Sequence, residues 1–330
     1  MTDKNDFIPN SQRSTRLRDR LMGGIIGSLV GDALGVPVEF TGRSMRDANP
    51  VTKMSGFGTW NQPAGTWSDD GSMTLVTAEA LSGLGWDLPN LMGGFLSWMD
   101  DAWWTPHGTV FDIGNTTRNA LMLYRIDKEI AHCGGDEENS NGNGSLMRIM
   151  PISCWLFGMK IKDQIQLVGE ASALTHAHIR SRLCCAWHTL WCDGIISERD
   201  VRTAARDASD RLRRHVPEFE RRIFARLLDG SAMGLPRLSI NSDGYVVSTM
   251  EASLWCLANH SNFSTTVLAA VNLGGDADTT GAVTGGMAGL HYGFNAIPKE
   301  WISTLARHDD VMALAERFAD ACLAHWQAST

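Results

Sequence analysis

Residues 23–39 read GGIIGSLVGDALGVPVE, with glycine at 23, 27, 31 and 35, and residues 281–289 (GAVTGGMAG) repeat the spacing at 281, 285 and 289. A four-residue period places these glycines along one face of a helix. Glycine inside a helix costs about 1 kcal/mol relative to alanine, so seven of them require compensation. Close approach of another backbone supplies it, and neighbouring segments are then held rigidly. Apolar residues at helical spacing recur over Met73–Leu84, Leu91–Trp98, Thr117–Tyr124, Asp163–Leu174, His178–Ile196 and Val267–Leu273. One short extended segment, Gly244–Ser248 (GYVVS), is the best strand candidate. No alternation of strands and helices appears, so the expected class is all-α.

The 330-residue chain is 43% hydrophobic and 20% charged, which is the composition of a globular protein with an ample core. Residues 1–15 lack apolar periodicity and read as a flexible tail, leaving 16–330 as a single domain. Asp100–Gly108, Cys133–Asn141 and Met233–Asp243 read as loops within it. The charge-dense stretch Glu198–Leu228 reads as a pair of surface helices around Pro217 with solvated faces. A net charge of -8 argues against a nucleic-acid partner, which needs a basic face. Seven cysteines without a CxxC pair suggest neither a disulfide framework nor a zinc site; adjacent Cys184 and Cys185 read as buried core residues. The apolar stretch Leu21–Val38 is interrupted by glycines and Asp32, so neither a signal peptide nor a membrane span is expected. A cytoplasmic setting follows.

Two short acidic segments stand out, each just before a helical pattern. They are Thr66–Met73 (TWSDDGSM) and Gly274–Thr280 (GGDADTT). One aspartate at a helix start is an ordinary cap, worth about 1 kcal/mol. Two neighbouring aspartates exceed what capping requires. If the segments converge, like charges about 4 Å apart repel by roughly 4 kcal/mol at an effective dielectric near 20. A hard divalent cation such as Mg²⁺, Mn²⁺ or Ca²⁺ removes that penalty. Spacing alone leaves capping and metal binding both open.

Five segments in order carry a resemblance: Gly23–Glu39, Gly65–Met73 (GTWSDDGSM), Asp112–Thr116 (DIGNT), Asn141–Pro151 (NGNGSLMRIMP) and Asn272–Thr280 (NLGGDADTT). Together they resemble the ADP-ribosylglycohydrolase family, in the branch of the dinitrogenase reductase-activating glycohydrolase and ADP-ribosylarginine hydrolases. The resemblance implies a compact all-α fold with two divalent cations, Mg²⁺ or Mn²⁺, in a central cleft. It implies Ser68, Asp69, Asp70, Asp276, Asp278 and Thr279 as metal ligands. Asp112 is implied as the proton-transfer residue, and Glu39 as an acidic residue near the metals that can gate the cleft. Substrate contacts are expected from Asn115, from the turn Asn141, Gly142, Asn143 and Gly144, from His176, and from Tyr245 through stacking on adenine. Gly71 stands where the family usually has a threonine, removing one hydroxyl ligand from the first segment.

The implied activity is removal of ADP-ribose from a modified protein, through arginine, in a setting that includes protection against an ADP-ribosylating toxin. Two other readings compete: a two-metal nucleotide phosphoesterase, and an immunity protein that blocks a toxin through its N-terminal tail, where Phe7, Ile8 and Pro9 accompany four arginines. His178, Trp103, Trp104 and His107 are further candidates near the cleft, each with an equally ordinary structural explanation.

Overall fold

Two helices cross so closely that their backbones touch. Helix α1 (Asn10–Gly35) lies against α13 (Ala277–Tyr292), with Gly23 opposite Gly289, Gly27 opposite Gly285 and Gly31 opposite Gly281. A Cβ atom on Gly31 would lie 1.9 Å from the Gly281 carbonyl oxygen, and one on Gly285 would lie 2.1 Å from that of Gly27. No side chain fits at this crossing, so the glycine stripe is a steric requirement.

The computed structural model describes residues 10–328. Between the two central helices the chain forms α2 (Arg43–Ala48), α3 (Asp69–Leu84), α4 (Leu88–Asp101), α5 (Asn115–Asp127), α6 (Met150–Trp155) and α7 (Ile161–Ala173). There follow α8 (Ile179–Ile196), α9 (Val201–Leu212), α10 (Ala225–Leu228), α11 (Val246–Asn259) and α12 (Phe263–Val271); α14 (Lys299–Thr304) and α15 (His308–Ala328) close the fold. Among the described residues there is no sheet, only three isolated bridges. The all-α expectation holds.

Each predicted helical pattern falls on an observed helix. The strand candidate does not survive: Tyr245 precedes the first turn of α11, and Val246 and Val247 are buried on that helix. Tyr245 contributes one bridge to Gly142 and no more. The β-branched pair resembled a strand locally, but the helical spacing continues through Met250, Leu254 and Leu257. The charged stretch also differs from a helix pair. Val201–Leu212 is a helix, but beyond it there are two 3₁₀ turns and the four-residue α10. The first helix begins at Asn10, within the segment read as a tail, while residues 1–9 lie outside the described residues.

Helix α1 is long and apolar enough to cross a membrane, yet the apolar window is entirely buried inside the protein. It is the central core helix. Ile25, Ile26, Leu29 and Val30 are all inaccessible, and Arg20 is held by carbonyls of Leu290 and Ile195 at 2.8 and 2.9 Å. The cysteines are buried and unpaired, as expected from their spacing.

Gly31→Ala should destabilise the protein by about 3 kcal/mol or more through overpacking, read as a lower urea midpoint. Gly83→Ala, where an added Cβ meets nothing within 4 Å, should be neutral or slightly stabilising. Equal effects at the two positions would show that the crossing is not sterically tight.

Candidate functional site

The α1–α13 crossing ends where the acidic residues begin. A Cβ on Gly35 would lie 2.3 Å from the Asp278 Cα, so the end of α1 rests on the first turn of α13. Ser68 occupies the N-cap of α3, with Asp69 and Asp70 in its first turn; Asp276 occupies the corresponding position before α13, with Asp278 in its first turn. Two helix N-termini therefore converge, and their partial positive charge favours carboxylates there. Gly274 and Gly275, with φ of 74° and 69°, make the left-handed turn that brings Asp276 inward.

The two sequence segments do meet. Thr279 Oγ1 donates to Asp70 Oδ2 at 3.2 Å, and Ser68 Oγ donates to the same oxygen at 2.9 Å. Carboxylate oxygens of Asp32, Asp70 and Asp278 lie within 4.8 Å of one another, as do those of Glu39, Asp276 and Asp278. Asp278 belongs to both trios. Asp70 Oδ1 and Asp278 Oδ2 are buried and accept no hydrogen bond. An orphaned buried carboxylate oxygen is costly, and a cation between the trios would satisfy both. The donors are hard oxygens, which fit a cation of the Mg²⁺ or Mn²⁺ type better than a soft metal. The acidic cluster can hold metal.

Asp32 is the residue that sequence reasoning missed. It is fully buried and accepts the Ser68 N–H at 2.9 Å and the Gly71 N–H at 2.8 Å. It thus holds the first turn of α3 against α1. The signal was present as a charge in the middle of an apolar, glycine-striped helix, but it reads there only as an interruption. Gly71 is also explained: a Cβ there would lie 2.7 Å from the Trp67 side chain, so no threonine fits.

A cavity of about 550 Å³ opens beside the cluster. Glu39, Asp69, Asp112, Asn115, Gly142, Asn143, Gly144, His176, Asp276 and Thr279 all line it. Asp112 stands in the loop before α5 with a left-handed backbone, φ 53°, a conformation that costs energy in a non-glycine residue. Its carboxyl lies against Glu39 and Asp278. Asn143 donates to Asp276 Oδ2 at 2.6 Å and to Thr249 at 2.9 Å, so it orients a cluster carboxylate. Its own N–H donates to Gly244 O at 3.0 Å, which leaves the flanking glycines as the turn's anion-facing candidates.

Asn141 and Tyr245 fall outside the cavity lining. The Asn141 amide donates to Glu138 O and accepts from Ser181. Tyr245 packs beside Arg180 and bridges to Gly142 of the lining. His178 caps α8 by accepting the Arg180 N–H at 3.2 Å. His107 bonds Thr66, and the Trp67 indole donates to Trp104 O; both contacts brace the acidic segment from behind.

His176 is a neutral imidazole, its pKa lowered to about 3 by burial and by the nearby Arg148 charge. The Thr175 hydroxyl accepts from Arg148 at 2.8 Å and meets His176 Nδ1 at 2.8 Å. Gly142 and Gly144 sit beside the opposite edge of the ring, where a Cβ on Gly144 would approach within 2.8 Å. The wall near the turn is therefore polar and uncharged.

Burial raises every resolved carboxyl of the cluster. Asp112 rises to about 6 through burial and then the Asp276 charge, and Glu39 to about 9 through burial and then the Asp112 charge. Asp32 rises to about 7 by burial against the pull of its N–H donors; Asp69, Asp70 and Asp278 are also raised, first by burial. Above the ordinary carboxylate range the folded state then holds more protons than the unfolded chain, so stability falls as pH rises. Metal-stripped protein should lose thermal midpoint steadily from about pH 5 to about pH 8, and Mg²⁺ or Mn²⁺ should raise the midpoint most at the upper end. A midpoint insensitive to both pH and metal would show that the carboxylates do not share a cation.

The model of the ADP-ribosylglycohydrolase family matches residues 13–328. The ADP-ribosylarginine hydrolase Tri1 of Serratia proteamaculans is 32% identical over 313 residues, 94% of this chain and 81% of that protein. The ADP-ribosyl-(dinitrogen reductase) glycohydrolase of Rhodospirillum rubrum is 29% identical over 292 residues, 88% of this chain and 91% of its own. A solved structure described as an ADP-ribosylglycohydrolase-related protein complex superposes with a TM-score of 0.78 at 29% identity, covering 93% of this chain and 99% of that one.

Proposed function

The chain belongs to the ADP-ribosylglycohydrolase family, and from that premise we propose that it is a metal-dependent hydrolase that detaches ADP-ribose from arginine of a modified protein. The observation that carries the reading is the pair of carboxylate trios sharing Asp278, with unsatisfied oxygens, at the edge of a cavity with room for a ligand. The arginine linkage is supported by the Serratia relative, which is named as an ADP-ribosylarginine hydrolase.

Ser68, Asp69, Asp70, Asp276, Asp278 and Thr279 would hold two divalent cations, Mg²⁺ or Mn²⁺, with Glu39 beside them and Asp32 bracing the first segment. Bound there, the ions would supply Lewis-acid polarisation of the distal ribose hydroxyls and of a water. The protein's own groups do the rest. Positive charge develops on a sugar ring as its glycosidic bond breaks, and the surrounding carboxylates stabilise it. Asp112, raised to about 6 by burial and then by Asp276, is placed to hold the proton that passes to the leaving nitrogen. The Gly142–Gly144 turn, with the neutral His176 ring beside it, would face the ligand's phosphate oxygens. A cytoplasmic setting, inferred from the cysteine pattern and the leading residues, and protection against an ADP-ribosylating toxin, which rests on the family resemblance, complete the proposal.

An arginine-ADP-ribosylated peptide should yield intact ADP-ribose, with EDTA abolishing release and Mg²⁺ or Mn²⁺ restoring it. AMP or phosphate as product would favour a phosphoesterase instead, and undiminished activity in chelator would overturn the metal assignment. Asp112→Asn should lower kcat by roughly 10²–10⁴-fold while leaving ADP-ribose affinity close to that of the parent.

A further inference from the structure

One feature at the cavity mouth has no role in folding. Phe40 follows Glu39 directly, lines the cavity, and is 67% exposed. Burying a phenyl ring is worth about 1.5–3 kcal/mol, so an outward ring held in place calls for another cause. Its backbone is fixed: the Phe40 N–H donates to Gly275 O at 2.7 Å, and the Gly275 N–H donates to Thr41 O at 2.8 Å. The residue is held in the left-handed region at φ 61°. Its ring meets Trp60 edge-on at 6.3 Å, and Trp60 meets Phe111 at 5.6 Å. The Trp60 indole N–H donates to the Glu39 carboxylate, and Phe111 directly precedes Asp112. The aromatic rim is thus tied to both acidic residues nearest the proposed chemistry.

The charge around it is one-sided. The cavity lining contains no lysine or arginine, and beyond the residues proposed to hold the cations it adds Asp112 and Asp243. An aromatic face beside carboxylates is the chemistry that recognises a guanidinium, which stacks on the ring and pairs with the acids. A neutral adenine would gain from the ring but not from the carboxylates, and the diphosphate is already assigned to the Gly142–Gly144 turn.

We propose that Phe40, with Trp60 and Phe111 behind it, is the specificity surface that receives the arginine guanidinium of the modified protein. This rests on the arginine reading above and adds the residues that select it. The ring touches the leaving side of the substrate, so it acts in binding and in orienting the scissile nitrogen toward Asp112.

The test compares Phe40→Ala and Phe40→Tyr with the parent, using an arginine-ADP-ribosylated peptide as substrate and free ADP-ribose as competing product. Phe40→Ala should lose about tenfold in kcat/KM, mostly through KM, while Phe40→Tyr retains activity and the inhibition constant of ADP-ribose is unchanged in both. Because the ring is exposed, both variants should unfold at the parent's temperature. Undiminished cleavage by Phe40→Ala would overturn the proposal and leave the arginine reading standing. Weakened ADP-ribose inhibition in parallel with lost activity would also overturn it, assigning the ring to adenine. A parent enzyme that does not cleave the arginine peptide would overturn the arginine reading itself, and this inference with it.

Discussion

Everything in this protein is referred to the backbone contact between α1 and α13. Glycines on each helix face the other's carbonyl oxygens so closely that no Cβ can intervene. The loss of helix propensity, about 1 kcal/mol at each glycine, is offset by dense van der Waals contact and by the apolar shell packed around the pair. That crossing also fixes the register of the site. Gly35 rests on the first turn of α13, so Asp278 is placed relative to Asp32 on α1 and to Glu39 just beyond it.

The same rigidity sets the electrostatics. Carboxylates that could separate in a flexible loop are held within a few ångströms by helices that cannot move apart. Converging helix N-termini and the N–H groups of Ser68 and Gly71 compensate some of the repulsion. Unpartnered oxygens on Asp70 and Asp278 show where compensation by the protein ends. A cation between the trios would serve both the stability of this cluster and the proposed function. Farther along the cavity the strategy changes: His176 is kept neutral by burial and by the Arg148 charge, and the glycine turn contributes no formal charge.

Much of the site was legible because its residues lie in short, contiguous segments. Ser68, Asp69, Asp70, Asp276, Asp278 and Thr279 come from two stretches that each begin a helix, and the structure brings both to one place. Asp112, Asn115 and His176 also reach the cavity lining. Asn141 and Tyr245 lie outside that lining, because a residue in such a segment need not face the cavity. Neighbours in such a turn alternate between the cavity and the supporting contacts behind it. Asp32 and the Phe40–Trp60–Phe111 rim were invisible for another reason: each depends on contacts between residues distant in sequence.

By itself, the sequence determined the helical class, the glycine stripes and the identity of the acidic segments. These are local properties, written in periods of three to four residues and in the chemistry of single side chains. Only the tertiary structure decided that the stripes face each other, that Asp278 is shared by two carboxylate trios, and that Asp32 anchors α3 rather than merely interrupting α1. Those facts depend on which surfaces pack together. The packing is set by steric exclusion summed over the whole crossing, which no single segment encodes.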